Sequence, residues 1–404
     1  MADAVIVGKF GGTGGLAAVG ATGTINFLII GCLLGLTTGF TVLTSQKFGA
    51  GRMSEMRKTV GNAAILSAVI AVIMTAVSML GMHRLLIFMN TPEDIFDGAY
   101  GYIMIICGGI FTQVLYNLVS SILRALGNSK TPLYFLILAA GLNIVLDLVF
   151  IIVFHFGAPG AAWATVISQG VSGLLCLIYI RKRVPELRMD REDWRFDPNI
   201  AKKQISVGIP MGLQYSITAI GTMMVQSSLN ILGSSAVAAF TAGSKIENIF
   251  TQAFVALGTT MSTYNAQNIG ARQLDRVRRG FRAADVIGCI YAVAVGFILF
   301  YAGKYFSYLF ISDNADVVIP MVDVYLQCVG MFMIPLYVVN CYRNGFQGMG
   351  YGLLPMLSGV AELFGRGVMA IVAAHKQSYR MACMASPFAW IVATALLILL
   401  YFCL

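Results

Sequence analysis

Residues 181–204 of the chain read RKRVPELRMDREDWRFDPNIAKKQ, a segment that contains eight basic and five acidic residues in 24 positions. The stretches on both sides of it are long, apolar and similar in length. The segment therefore predicts a boundary between two lobes. We expect an N-terminal lobe (1–180), a charged cytoplasmic linker (181–203) that acts as a solvated hinge, and a C-terminal lobe (204–404).

The composition defines the class of protein. Of the 404 residues, 58% are hydrophobic and only 11% are charged, and the mean hydropathy is +0.80. A soluble domain would contain about 25% charged and about 45–50% apolar residues. A cytosolic enzyme, a disordered protein and a secreted disulfide scaffold are therefore excluded. Because most of the chain falls into stretches of about 20 apolar residues, the sequence predicts a protein with many membrane spans.

The cysteines and the net charge exclude other classes of site. All eight cysteines lie in or beside apolar segments and none forms a CxxC pair, so we interpret them as small packing residues. We expect no disulfide, no cofactor and no metal other than a possible coupling sodium ion. The net charge of +9 would suggest nucleic acid in a soluble protein, but in a membrane protein basic residues sort to one side of the bilayer, so no nucleic-acid partner is expected.

The apolar runs predict an all-α bundle, since only helices and closed barrels span membranes and the runs are too long for barrel strands. A stub from Met1 to about Phe10 precedes them and is too short to span. We count it as the end of a first helix and expect upstream residues to be missing, because an α-amino group inside a membrane is costly. The eleven full spans are 15–45, 60–81, 98–123, 132–154, 158–180, 204–232, 236–264, 283–305, 318–345, 353–374 and 379–403.

The basic residues predict the orientation. With the stub counted as the first helix, loops after even-numbered helices contain 19 of the 27 Lys and Arg residues, and loops after odd-numbered helices contain five. Basic loops stay on the cytoplasmic side. We therefore expect a multi-pass protein of the cytoplasmic (inner) membrane with both termini in the cytoplasm.

The two halves repeat each other. One constant offset places Gln46 on Gln267, and a nearly equal offset places Tyr102 on Tyr325. Because each half starts on the same side of the membrane, the repeat is parallel. Two six-helix lobes, with the first helix incomplete, are a transporter architecture.

Polar residues of the N-terminal lobe predict a cation site. Asp147 follows Asn143 by one helical turn, and Asp3, Tyr102 and Thr165 lie at a similar depth, roughly 11 Å below the outer helix ends. Carboxylate, amide and hydroxyl oxygens suit sodium, whereas paired acids also raise one another's proton affinity. The coupling ion is therefore either Na⁺ or H⁺.

Other intramembrane residues have weaker signals. Glu362 and Arg366 are four residues apart and are interpreted as a structural ion pair. Pro210 is expected to kink the seventh helix. Candidate residues for a substrate cavity are Gln214, Tyr215, Met223, Met224, Glu247 and Met261.

Several ordered motifs resemble the multidrug and toxic compound extrusion (MATE) family over essentially the whole chain. They are ADAVIVGKFGG, SQKFGAG, LRALGNSKTP, LNIVLD, GAPGAAWATVIS and YNAQNIGARQLDRVRR. The resemblance implies twelve helices in two lobes, a MATE/MOP-type transporter fold and a monomer. It also implies export of small organic, often cationic and amphipathic compounds by alternating access, driven by uptake of Na⁺ or H⁺.

The resemblance is to the DinF-like branch, whose N-lobe cation site would fall on Asp3, Tyr102, Asn143, Asp147 and Thr165. The acids that NorM-like members use in the seventh and tenth helices have no counterpart here. The chain also departs from the family by lacking most of the first helix.

Three alternatives stay open. A lipid-linked oligosaccharide flippase of the same superfamily would need cationic residues in its cavity, and only Lys245, Arg343 and Arg366 lie within spans. An intramembrane enzyme would need an acidic metal motif or a histidine cluster, and the sequence has neither, so we expect no enzyme. An inactive, N-terminally truncated transporter is the third.

Overall fold

The computed structural model describes residues 6–7, 12–89, 91–308 and 315–403, and helices form the regular structure of these ranges. The first half contains α1 (Gly12–Gly49), α2 (Met53–Phe88), α3 (Glu93–Gly108), α4 (Ile110–Ala125), α5 (Lys130–Leu148) and α6 (Gly157–Arg183). The second half contains α7 (Pro198–Leu232), α8 (Ser234–Gly270), α9 (Leu274–Phe297), α10 (Gly303–Ser307), α11 (Ala315–Gly330), α12 (Met333–Met349), α13 (Leu353–Lys376), α14 (Tyr379–Cys383) and α15 (Ala385–Cys403). Short π-helical segments, Val149–Val153 and Ile298–Ala302, follow α5 and α9.

All eleven expected spans fall in helical segments, but they differ in how apolar they are. Within the described residues, seven helices are long and apolar enough to cross a membrane, and the number rises to nine when each bent pair counts as one span. The bends are 46° between α3 and α4 and 54° between α11 and α12. Helices α7 and α8 have 35 and 37 residues and are long enough, but their amide and hydroxyl side chains make them less apolar.

The helix boundaries repeat with the offsets that the sequence shows. Helices α2 and α9 begin at Met53 and Leu274, which are as far apart in number as Gln46 and Gln267. Helices α5 and α13 begin with the slightly larger offset that relates Tyr102 to Tyr325. The bent pairs α3–α4 and α11–α12 occupy matching places in the two halves. The predicted all-α fold with a parallel internal repeat is thus confirmed.

The chain forms two compact units, Met1–Gly212 and Leu213–Leu404. The division falls inside α7, so the first fifteen residues of that helix pack with the first unit. A Cβ atom on Gly208, for example, would lie only 2.5 Å from the ring of Phe40. The domain boundaries predicted at 180/181 and 203/204 stay a prediction.

In the second unit, α9 crosses the break between α11 and α12 through two glycines. A Cβ atom on Gly296 would lie 2.7 Å from the carbonyl oxygen of Gly330, and a Cβ atom on Gly330 would lie 3.0 Å from the carbonyl oxygen of Gly296. Both distances are shorter than nearly all contacts of real Cβ atoms. The two backbones therefore touch without intervening side chains.

The charged linker, 181–203, contacts α2 at two places, although most of its residues are exposed. The Arg57 Nε donates a hydrogen bond to Asp193 Oδ2 at 3.1 Å, and the Asp193 side chain is 6% exposed. Further along the linker, the backbone N–H of Asp197 donates to Asn62 Oδ1 at 2.9 Å. The composition thus indicates the exposure of the linker but not these contacts, and its role as a hinge stays a prediction.

The start of α7 is also fixed to the first unit. The Gln204 side chain is fully buried, and its Nε2 donates to the carbonyl oxygens of Phe40 at 3.0 Å and Thr59 at 2.8 Å. A buried amide that donates twice to backbone carbonyls is costly to replace, since both acceptors would lose a partner. The path from the linker into α7 is thus held by specific hydrogen bonds.

We expect the Gly61→Ala variant to weaken the linker contact. A Cβ atom on Gly61 would lie 2.1 Å from the carbonyl oxygen of Asp193, so the linker must move away. Overpacking of this kind costs about 1–3 kcal/mol in the free energy of unfolding. The measurement is the Tm of the detergent-purified protein.

Gly81→Ala is the matched control, because a Cβ atom on Gly81 in the same helix meets nothing within 4 Å. Alanine is also a better helix former than glycine, so this variant is expected to keep or slightly raise the Tm. Equal Tm values for the two variants would contradict the docked linker.

Candidate functional site

In the first unit, α5 and α6 bring two of the predicted cation-site residues into contact. The Nδ2 atom of Asn143 lies 3.5 Å from Thr165 Oγ1, at the limit of a hydrogen bond in which the hydroxyl oxygen accepts. Both side chains are half-buried. The contact thus joins α5 and α6 through an amide and a hydroxyl group.

Asp147 lies one turn after Asn143 on α5 and is fully buried, with 0% exposure. Residues four apart lie on one helical face, so the carboxylate and the amide project to the same side of α5. The π-helical segment Val149–Val153 begins two residues later. Such segments often occur at functional sites, and the hydrophobic pattern gives no signal for this one.

Tyr102 on α3 is 5% exposed and packs in an apolar cluster of the first unit. The same cluster contains Ala161, from the first turns of α6, and the buried residues Ile6 and Val7. Asp3, the remaining predicted ligand, lies outside the described residues. Helix α6 thus packs against α3, which contains Tyr102, and also provides Thr165 for the contact with Asn143.

In the second unit, one carboxylate binds two guanidinium groups. Glu362 is 3% exposed; Arg343 Nη2 donates to its Oε1, and Arg366 Nη2 lies 3.2 Å from its Oε2. Arg343 Nε also donates to Ser358 Oγ at 2.9 Å. The predicted Glu362–Arg366 ion pair is present, but the sequence analysis missed Arg343, which lies on α12 and is not at helical spacing from Glu362.

Arg366 packs against α7 at a glycine. A Cβ atom on Gly221 would lie 3.1 Å from Arg366 Cδ and 3.4 Å from Nη1. Within the described residues, the buried Nε and Nη1 atoms of Arg366 have no hydrogen-bond acceptor. Two guanidinium groups share the single carboxylate of Glu362, so this cluster is positively charged.

Two of the predicted cavity residues are buried. Gln214 is 8% exposed, and its Oε1 accepts a hydrogen bond from Gln347 Nε2 at 2.7 Å. Met261 is 4% exposed and belongs to the main apolar core of the second unit. Met261 therefore packs the core, and we leave it out of the candidate cavity.

Three other predicted residues are more exposed. Met223 and Met224 are 38% and 37% exposed on α7, and Tyr215 is half-buried. The side chains of Met223, Met224 and Tyr215 can therefore contact lipid or an organic ligand.

Pro210 lies inside α7, which remains one helix across it, so the kink stays a prediction.

Glu247 on α8 is bound by a tyrosine. The Tyr325 hydroxyl on α11 donates a hydrogen bond to Glu247 Oε2, and Tyr325 is 2% exposed. A Cβ atom on Gly243 would lie 2.4 Å from the Tyr325 ring, so α8 and α11 are in close contact here. Glu247 is thus part of an ordered polar pair in the second unit.

The apolar helices, the internal repeat and these buried polar groups define a polytopic helical membrane protein. The structure superimposes with a TM-score of 0.93 and 24% sequence identity on the outward-facing conformation of a multidrug resistance MATE family transporter, covering 99% of this chain and 89% of that one. The likeness at this identity shows the fold alone.

The chain belongs to the MatE family of multidrug and toxic compound extrusion transporters. The family model matches residues 1–149 and 210–372. The chain is 33% identical over 357 residues to the probable multidrug resistance protein YpnP of Bacillus subtilis. The aligned region covers 88% of this chain and 79% of YpnP. The chain is 27% identical over 367 residues to the probable multidrug resistance protein NorM of Thermotoga maritima, covering 88% and 77%. The assignment to a DinF-like branch stays a prediction.

Glu362→Gln is expected to destabilise the second unit strongly. The change removes the only charge that binds both Arg343 and Arg366 among the described side chains, and breaking a buried ion pair in this way costs about 3–5 kcal/mol. The measurement is the Tm of the purified protein, with Glu192→Gln on the exposed linker surface as control. The same Tm for both variants would contradict a structural role for Glu362.

Proposed function

We propose that the protein is a secondary active exporter that exchanges small organic compounds for Na⁺ or H⁺ by alternating access. The observation that carries the proposal is the fully buried carboxylate of Asp147, one turn from the Asn143–Thr165 contact, in a chain of the MatE family. An ionisable side chain buried in a membrane helix is costly and is a candidate for ion transport.

The first step is binding of the cation in the N-terminal lobe. A charge buried in an apolar medium must be compensated, so the Asp147 carboxylate favours either a bound sodium ion or a proton. The side chains of Asn143 and Thr165 are in contact through the amide nitrogen and the hydroxyl, and their oxygens would complete a sodium shell. Tyr102 and Asp3 complete the proposed ligand set.

The second step couples the cation to the substrate. A ligand shifts a conformational equilibrium only by the difference between its affinities for the two states. We propose that the cation binds the outward-facing state more tightly and lowers substrate affinity there by repacking α5 and α6 around Asp147. Return to the inward-facing state releases the cation to the cytoplasm and loads a new substrate.

The relatives support the substrate class, since YpnP and the Thermotoga maritima NorM are both named probable multidrug resistance proteins. Met223 and Met224 offer flexible, polarisable surface that adapts to different apolar ligands. Gln214, Tyr215 and Glu247 would add polar contacts to the cavity. We propose amphipathic organic compounds, often cationic, as substrates.

The setting of the transporter is also part of the proposal. The excess of basic residues in the loops after even-numbered helices favours a cytoplasmic-membrane protein with both termini in the cytoplasm. We propose that the protein acts as a monomer and needs no cofactor beyond the coupling ion.

Asp147→Asn is expected to abolish export. The amide is neutral at every pH and cannot release a proton or balance a sodium ion, so the conformational cycle loses its driving force. The measurement is ethidium accumulation in efflux-deficient cells at several sodium concentrations and external pH values. Cells expressing the parent should accumulate less dye than cells expressing the variant.

Asp97→Asn is the control for this experiment, because Asp97 is an exposed acid on α3 in the same lobe. It should export like the parent. Normal export by Asp147→Asn at matched membrane expression would overturn the proposed coupling site.

Thr165→Val is expected to identify the coupling ion. Valine keeps the shape but removes the hydroxyl oxygen, so a sodium-coupled protein should need about tenfold more sodium for half-maximal export, equivalent to ~1.4 kcal/mol. A proton-coupled protein should keep its pH dependence, since a proton needs only the carboxylate. Thr260→Val is the control, because the exposed Thr260 hydroxyl donates to the carbonyl of Ala256 in its own helix. Loss of all export in Thr165→Val but not in Thr260→Val would point to a structural role instead.

A further inference from the structure

In the internal repeat, Arg366 of the C-terminal lobe lies at the position that corresponds to Asn143 of the proposed cation site. Helices α5 and α13 are counterparts in the repeat, and Asn143 and Arg366 are each the fourteenth residue of their helix. The same offset relates Tyr102 to Tyr325, and both tyrosines are buried, with 5% and 2% exposure. Arg366 and Tyr325 are therefore the C-terminal counterparts of two proposed ligands of the coupling cation.

The carboxylate beside Arg366 comes from another position of the repeat. Ala370 is the counterpart of Asp147 and is buried without a charge. Glu362 Oε2 lies 3.2 Å from Arg366 Nη2, and Glu362 corresponds to a position of the first half that has no charge, Ala139. The second unit thus contains a carboxylate beside a positive charge that belongs to the protein.

The packing of Arg366 shows that this charge is held firmly. Its side chain is 7% exposed, lies against Gly221 and is bound by Glu362. A guanidinium group stays protonated in proteins and offers five N–H donors. Unlike a sodium ion or a proton, it cannot dissociate during a transport cycle.

We propose that Arg366 is a tethered cation that takes, in the C-terminal lobe, the place of the exchangeable cation in the N-terminal lobe. The inference rests on the proposed function, since it takes the Asp147 site as the coupling site. Its consequence is that the C-terminal lobe binds no cation from solution, and each chain binds a single coupling ion.

Removal of the Arg366 charge should open a second cation site. Glu362 Oε1 would keep Arg343 as its partner, whereas Glu362 Oε2 would lose the Arg366 guanidinium group. A neutral glutamine at position 366 would still supply an amide oxygen. The cavity left by the guanidinium group could then admit a sodium ion or favour an additional proton.

The experiment counts cations bound per chain in detergent-purified protein. One arm measures binding of radiolabelled sodium at about pH 8, with choline as the competing salt. The other arm measures proton uptake between about pH 8 and about pH 6 in sodium-free buffer, as the difference between variants. The variants are Asp147→Asn, Arg366→Gln, the charge-preserving Arg366→Lys, and each Arg366 variant combined with Asp147→Asn.

We expect the parent and Arg366→Lys to bind one cation, Asp147→Asn to bind none and Arg366→Gln to bind two. The double variant of Asp147→Asn with Arg366→Gln should regain one, which a merely structural role of Arg366 does not predict. Equal cation counts for Arg366→Gln and Arg366→Lys would overturn the proposal.

If Arg366→Gln does not fold, the comparison of the parent with Asp147→Asn still decides. One cation in the parent, lost in Asp147→Asn, supports the proposal, whereas two cations, of which one survives in Asp147→Asn, overturn it. If the parent binds a single cation and Asp147→Asn still binds it, Asp147 is not the coupling site and the proposed function is contradicted. The proposal for Arg366 then also fails, because it compares Arg366 with the cation at Asp147. The comparison of the parent with Asp147→Asn thus separates failure of the coupling site from failure of the tethered cation.

Discussion

A charge inside an apolar helix bundle is costly unless it has a partner of opposite charge or a hydrogen-bond partner, and this constraint shapes both halves of the molecule. In the second unit, Glu362 binds both Arg343 and Arg366, while Glu247 accepts a hydrogen bond from the Tyr325 hydroxyl. In the first unit, the fully buried Asp147 lies one helical turn after Asn143, which contacts Thr165. We propose that the second half holds a cationic side chain of its own and that the first half takes a cation from solution, so that the duplicated fold has one coupling site.

Much of the architecture could be predicted from hydrophobicity and repetition. The eleven spans are helical because apolar runs of this length have no other way to satisfy their backbone in a bilayer. The two offsets of the sequence repeat reappear in the helix boundaries, and the bent pairs occupy matching places. The break inside α11–α12 and the π-helical segments gave no such signal, because they depend on tertiary packing and leave the apolar run uninterrupted.

The polar sites were predictable only where spacing is local. The Glu362–Arg366 pair follows from four-residue spacing, but Arg343 joins it from α12, and no sequence pattern links the two helices. The Asn143–Thr165 contact followed from equal depth on consecutive helices, and it is present. In the linker, the charges indicated the exposure that most of its residues have, but not the contacts of Arg57 and Asn62 that bind it to α2.

The crossing of α9 with the break between α11 and α12 limits which residues this chain can have at the contact. Since the carbonyl oxygens of Gly296 and Gly330 each occupy the space of the other residue's Cβ atom, neither position can acquire a side chain unless the helices separate. A substitution at either glycine is therefore constrained by the other, although the two residues belong to different helices and are far apart in the sequence.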